Sequence, residues 1–176
     1  MQRTIGEMTI ECIKGDITRQ GDIDVIVNAA NRQLKGGGGV DGAIHRAAGP
    51  QLLEASRALA PIEAGQGVIT PAFDLPNDWV VHCAGPVYSD DPEVPGQLAG
   101  CYRSAVELAE DKAAASIAFP AISAGIYGYP LAEAATIAME TLGEAARSVI
   151  TLKQARFVLF SDEAHDAFSE ALSILT

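Results

Sequence analysis

Four consecutive glycines, Gly36–Gly39, lie between an apolar run that ends at Asn28 and a helix-like run that begins at Val40. Few architectures accommodate such a segment. Glycine tolerates positive φ and lets another group approach the backbone closely. A glycine run that opens a helix leaves N–H groups unpaired, and the helix dipole favours an anion there. Asn31 and Asp41 flank the glycines, and Arg32, Lys35 and Arg46 lie nearby. The segment reads as an anion cradle with a reactive edge.

The rest of the chain repeats the same alternation. Met8–Lys14, Asp24–Val27, Gly67–Phe73, Trp79–Cys83, Ser116–Phe119 and Arg156–Phe160 read as strands. Val40–Ala48, Pro50–Ala60, Leu98–Ala114, Pro130–Ala146 and Glu163–Ile174 read as helices. Ala99, Tyr102, Val106 and Ala109 share one helical face. Gly85–Gly96 reads as a turn-rich loop. Strands alternating with helices specify a layered α/β domain with a largely parallel sheet. At 176 residues and without a linker-like segment, the chain is expected to form one domain, residues 1–176.

Composition narrows the partners. The net charge of −11 opposes a broad nucleic-acid or anionic-membrane footprint but permits a small anion held locally. No apolar stretch approaches the ~20 residues needed to cross a bilayer. The opening MQRTIGEMTI resembles no secretory leader, so a cytoplasmic protein is expected. Cys12, Cys83 and Cys101 are scattered and lack metal-ligand spacing, so buried thiols are expected and no metal or cofactor is called for.

Two generic chemistries fit poorly. Gly37-x-Gly39-x-x-Gly42 has dinucleotide-fingerprint spacing, but the eight residues Asn28–Lys35 separate the strand from the glycines. The acid expected some 20 residues onward, Glu63, falls in a loop-like sequence. Ala121-x-Ser123-x-Gly125 resembles a nucleophile elbow, with Asp162 and His165 following in chain order. Those two are too close together on one helix start to serve as orienter and base. A different use suits the second turn, Ser123–Tyr129. Together with Gly36–Gly42 it makes two cradles beyond strand ends, which suits a diphosphate.

Gly15-Asp16-Ile17-Thr18, DVIVNAAN (Asp24–Asn31), GGGGVDGAIHRAAG (Gly36–Gly49), VHCAGP (Val81–Pro86) and FPAISAGIYGYP (Phe119–Pro130) occur in order across most of the chain. This set closely resembles the macrodomain family, in particular its MacroD-like branch of ADP-ribose-binding hydrolases. The resemblance implies a three-layer α/β/α sandwich with a central mixed, largely parallel sheet.

It also implies the site. Asp16 would accept a hydrogen bond from the adenine amino group, with the Ile17 backbone beside it. Gly38, Gly39 and Val40 would cradle the pyrophosphate with Ser123, Ala124, Gly125, Ile126 and Tyr127. Tyr127 would pack on the distal ribose and Phe160 would stack on adenine, and Asn28 would belong to the same ligand site. Asn31 and Asp41 match the pair linked to catalysis, with His45 one turn on as an orienter or a structural histidine. Ala124 stands where relatives commonly carry threonine, and Cys83-Ala84 where Thr-Val is usual. The implied activity is hydrolysis of an ester at the distal ribose, in mono-ADP-ribosylated acidic side chains of proteins or in O-acetyl-ADP-ribose. The alternative is a non-catalytic ADP-ribose reader. A monomer is expected.

Overall fold

The computed structural model describes the whole chain, Met1–Thr176. Its elements are β1 (Gln2–Ile5), β2 (Met8–Lys14), a 3₁₀ turn (Ile17–Arg19), β3 (Val25–Ala30), α1 (Gly39–Ala48), α2 (Pro50–Arg57), β4 (Gly67–Pro71), β5 (Trp79–Ala84), α3 (Val94–Asp111), β6 (Ser116–Phe119), α4 (Leu131–Ala145), β7 (Gln154–Leu159) and α5 (Asp162–Ser173). The seven strands form one sheet in the order β1-β2-β7-β6-β3-β5-β4. The five central strands are parallel, and the two edge strands pair antiparallel.

Strand alternation builds two cores, as period-2 geometry requires. Val25, Val27, Ile117, Phe119 and Phe157 point to the face that packs α3, α4 and α5. Ile26, Val80, Ala118 and Val158 point to the opposite face, against Ile44, Ala48 and Leu52 of α1 and α2. The sheet is therefore covered on both sides, as an α/β/α sandwich with a mixed, largely parallel sheet. In the larger core Tyr102, Phe119, Phe157 and Phe168 stack or tilt against one another with centroids 5.3–5.9 Å apart. No helix is long and apolar enough to cross a membrane.

Three local differences from the sequence reading have physical causes. β1, absent from that reading, is four residues with only Ile5 buried, and it exists by pairing with β2 through a turn at Gly6. α3 starts at Val94, four residues before the expected Leu98, because Pro95 sits in its first turn, where a missing N–H costs nothing. α2 stops at Arg57 rather than Ala60, since Pro61 disfavours helical geometry in the residue before it.

Candidate functional site

The parallel strands deliver their loops to one edge of the sheet. Asp16 follows β2, Phe160 follows β7, Pro120–Tyr127 follow β6, Asn31–Gly38 follow β3, and Gly85 follows β5. Four inter-strand spacings separate the first from the last, roughly 19 Å at about 4.8 Å each.

The edge opens at one place. β3 pairs with β5 over six residues but with β6 only through Val25–Ile26 and Ile117–Ala118. Beyond Ile26 the two strands part. The chain leaves β3 for α1 on one face and leaves β6 for α4 on the other. Such a switch point forms a crevice outside the strand ends. Here a cleft of about 550 Å³ lies there, lined by residues that include Asn31, Gly38, Gly39, Val40, Asp41, all five of Ser123–Tyr127, and Phe160.

The glycine loop forms one wall. Gly36 and Gly39 have φ of 78° and 58°. A Cβ on Gly38 or Gly39 would meet nothing within 4 Å, so the backbone itself faces open space. No side chain caps α1, which leaves its first-turn N–H groups for a ligand. Gly42 is required differently: a Cβ there would lie 2.6 Å from the Gly37 carbonyl oxygen, so only glycine lets the loop rest on the helix.

The second wall is Ser123–Tyr127. Ser123 has φ of 65°, which turns the chain sharply after β6. The N–H groups of Gly125, Ile126 and Tyr127 find no acceptor within the chain. Gly85 supports this turn, since a Cβ there would lie 2.4 Å from Ser123 Oγ. Two sets of unpaired backbone donors thus face one cleft, an arrangement that suits two linked phosphates.

Asn31 and Asp41 meet beside Gly37, whose absent Cβ would be 3.4 Å from Asp41 Oδ2 and 3.9 Å from Asn31 Nδ2. Asn31 Nδ2 donates to Gly36 O at 2.8 Å, and its Oδ1 accepts from Lys35 N at 3.2 Å. One amide proton and one lone pair remain. Asp41 is 6 % exposed. Its Oδ1 accepts from Asn28 Nδ2 at 2.8 Å and lies 3.2 Å from His45 Nε2. Its Oδ2 takes no hydrogen bond within the chain and sits beside Gly37, where Asp41 lines the cleft. The carboxylate is therefore anchored at one oxygen and free at the other, as a group that orients water must be.

The other expected site residues occupy different depths around the cleft. Asn28 does not line the cleft. It is fully buried beneath it and acts on Asp41. Asp16 and Ile17 also lie outside the cleft lining. Ile17 buries its side chain under α1, while Asp16 stays exposed beside the end of β7 through the Gly15 N to Leu159 O bond. The Thr18 hydroxyl and then the Thr18 N–H, both bonded to Asp16 Oδ1, hold the Asp16 carboxyl below its usual range. Phe160 is 89 % exposed at the cleft rim, so it is no core residue. Tyr129 is buried and packs edge-on against Tyr88.

The nucleophile-elbow reading fails on geometry. Ser123 Oγ is buried with no hydrogen-bond partner. Asp162 pairs with Lys14, and His165 lies against Asp166 and Ser169. No group is placed to activate the serine. The three cysteines are buried free thiols. Sequence reasoning also missed His82 and Thr70, which continue the Asn28 contact into the sheet. Burial, and then the neighbouring His45, push the His82 pKa down to about 3, so this ring is neutral. The signal available for His82 was a lone polar residue inside an apolar strand.

Comparison with known proteins gives one answer. A family model described as Macro domain matches residues 27–138. A macro domain-containing protein of Streptomyces griseus is 47% identical over 171 residues, covering 94% of this chain and 95% of its own. One from Xanthomonas campestris is 49% identical over 173 residues, covering 94% and 96%. The Oceanobacillus iheyensis macrodomain with ADP superposes with a TM-score of 0.94 at 42% identity, covering 99% of this chain and 95% of that one. The Trypanosoma brucei macrodomain in complex with ADP-ribose has a TM-score of 0.85 at 36% identity, covering 93% and 68%.

Proposed function

The chain belongs to the Macro domain family, and from that premise we propose that it is an ADP-ribose-binding hydrolase that cleaves esters of the distal ribose. The substrates are mono-ADP-ribosylated acidic side chains of proteins and O-acetyl-ADP-ribose. The ligand follows the strand order along the sheet edge. Adenine lies at the β2–β7 end, stacked on Phe160 with Asp16 accepting from its amino group. The diphosphate lies between the glycine loop and Ser123–Tyr127. The distal ribose reaches Asn31 and Asp41, with Tyr127 against it.

Ester cleavage by water yields a carboxylic acid and a free ribose hydroxyl. Asp41 Oδ2 accepts a proton from the attacking water and returns it as the products form. Asn31 donates its remaining amide proton to a ribose oxygen and holds the reacting centre against the loop. The observation that carries this reading is the lopsided anchoring of Asp41, with Oδ1 hydrogen-bonded by Asn28 and 3.2 Å from His45 Nε2, while Oδ2 takes no hydrogen bond within the chain and lies beside Asn31 at the cleft.

The deciding experiment measures ADP-ribose binding by calorimetry and acetyl release from O-acetyl-ADP-ribose on one sample. A second arm follows release from a Glu-linked ADP-ribosylated protein. Binding with release is expected. Binding without release from either ester would make the protein a reader.

A further inference from the structure

Behind Asp41 runs a line of buried polar groups that the chemistry above leaves unused. Asn28 Nδ2 contacts Asp41 Oδ1 at 2.8 Å and His82 Nδ1 at 3.2 Å. His82 Nε2 lies 3.0 Å from Thr70 Oγ1, and the Thr70 hydroxyl donates to Pro71 O at 3.1 Å. Asn28, His82 and Thr70 come from the adjacent strands β3, β5 and β4, and all three are buried.

The donors and acceptors fit in one direction only. Thr70 has a single proton, and a carbonyl only accepts, so that proton goes to Pro71. The Thr70 oxygen then accepts from His82 Nε2–H. Nδ1 is left bare and accepts one amide proton of Asn28. The other amide proton is thereby turned onto Asp41. Asn28 Oδ1 is buried with no partner, an unfavourable state for a polar atom. The two contacts at the nitrogen end fix the amide despite this.

We propose that His82 is a positioning residue for hydrolysis at this site: as the Nε2–H tautomer, set by Thr70, it locks the Asn28 amide so that Asp41 Oδ1 stays anchored and Oδ2 stays free for water. Without an acceptor at the His82 position, the Asn28 amide keeps only its bond to Asp41 and can swing about it, so Asp41 Oδ1 loses its fixed anchor. The inference rests on the hydrolase reading.

The test compares His82→Leu, which removes the acceptor, with His82→Asn, whose amide oxygen can replace Nδ1. For His82→Leu, kcat on O-acetyl-ADP-ribose should fall about 10-fold, while KM and ADP-ribose affinity stay within about twofold. His82→Asn should recover most of the loss. Unchanged kcat in a His82→Leu protein that binds ADP-ribose normally would overturn the proposal. So would equal losses of kcat and affinity in both variants, the mark of a merely structural histidine. Should His82→Leu not fold, nitrogen–proton correlation spectra of ¹⁵N-histidine-labelled wild-type protein decide. An Nε2–H ring at neutral pH supports the proposal, and an Nδ1–H or doubly protonated ring refutes it. Wild-type protein inert on every ester would instead fell the hydrolase reading itself, an outcome separable from an active wild type indifferent to His82.

Discussion

The two ends of the cleft are built in opposite ways. At the β3 end, Asp41 is buried, hydrogen-bonded by Asn28, flanked by His45 at 3.2 Å, and backed by His82 and Thr70. At the β7 end, Phe160 and Asp16 are exposed, and Asp16 is fixed only by its own turn. One end has its side-chain geometry determined by three strands and a helix, and the other has little beyond local backbone. The difference matches the tasks assigned to them. Proton transfer demands a carboxylate held to a fraction of an ångström, whereas stacking on a base tolerates looseness.

Damage at the two ends should leave different kinetic signatures. The largest effect belongs to Asp41→Ala, which should lower kcat on O-acetyl-ADP-ribose about 10²–10⁴-fold while calorimetry still registers ADP-ribose. Undiminished turnover would remove Asp41 from the chemistry. Phe160→Ala should act the other way, weakening ADP-ribose affinity roughly 5- to 150-fold and leaving kcat at saturation unchanged. A kcat loss there would collapse the distinction between the ends.

The buried end should also leave a mark on stability. The ordinary histidine pKa is 6.5 and that of folded His82 is about 3. Between those values the unfolded chain binds a proton that the native protein refuses. Stability contributed by neutral His82 is thus full above pH 6.5 and is lost as pH falls towards 3. The limiting slope is about 1.4 kcal/mol per pH unit. Chemical denaturation of wild type and His82→Asn from pH 7 to 5 checks this, and the variant should lack the slope. The smallest effect is Asp16→Ala, expected to weaken ADP-ribose binding about 3- to 10-fold and to erase preference for adenine over hypoxanthine in the same ligand. Retained base preference in titrations would place adenine recognition elsewhere.

Legibility in the sequence followed the same contrast. The glycine loop, the Ser123 turn and the Asn31/Asp41 pair were readable, because each signal lies within a few residues of chain. Phe160 could be placed at a strand end, but its exposure could not be read: a phenylalanine after an apolar strand is compatible with core or rim. The family resemblance puts Asn28 in the ligand site. The alternation of β3 turns it beneath the cleft instead, where only a view of α1 and β5 together reveals its partners. His82 gave no clue to its role, since the groups that define it come from residues 28, 41 and 70.

The chain's own order of residues decided the layered α/β class, the two backbone cradles and the residue types set at their edges. These depend on side-chain period and on φ freedom, which are properties of neighbouring residues. Tertiary structure decided that β3 stands beside β6 yet parts from it after two pairs, and so where the cleft opens. It also decided which oxygen of Asp41 is anchored and which is free. Hydrogen-bond direction in a dry interior is set by every partner at once, and those partners are brought together only when distant strands pair.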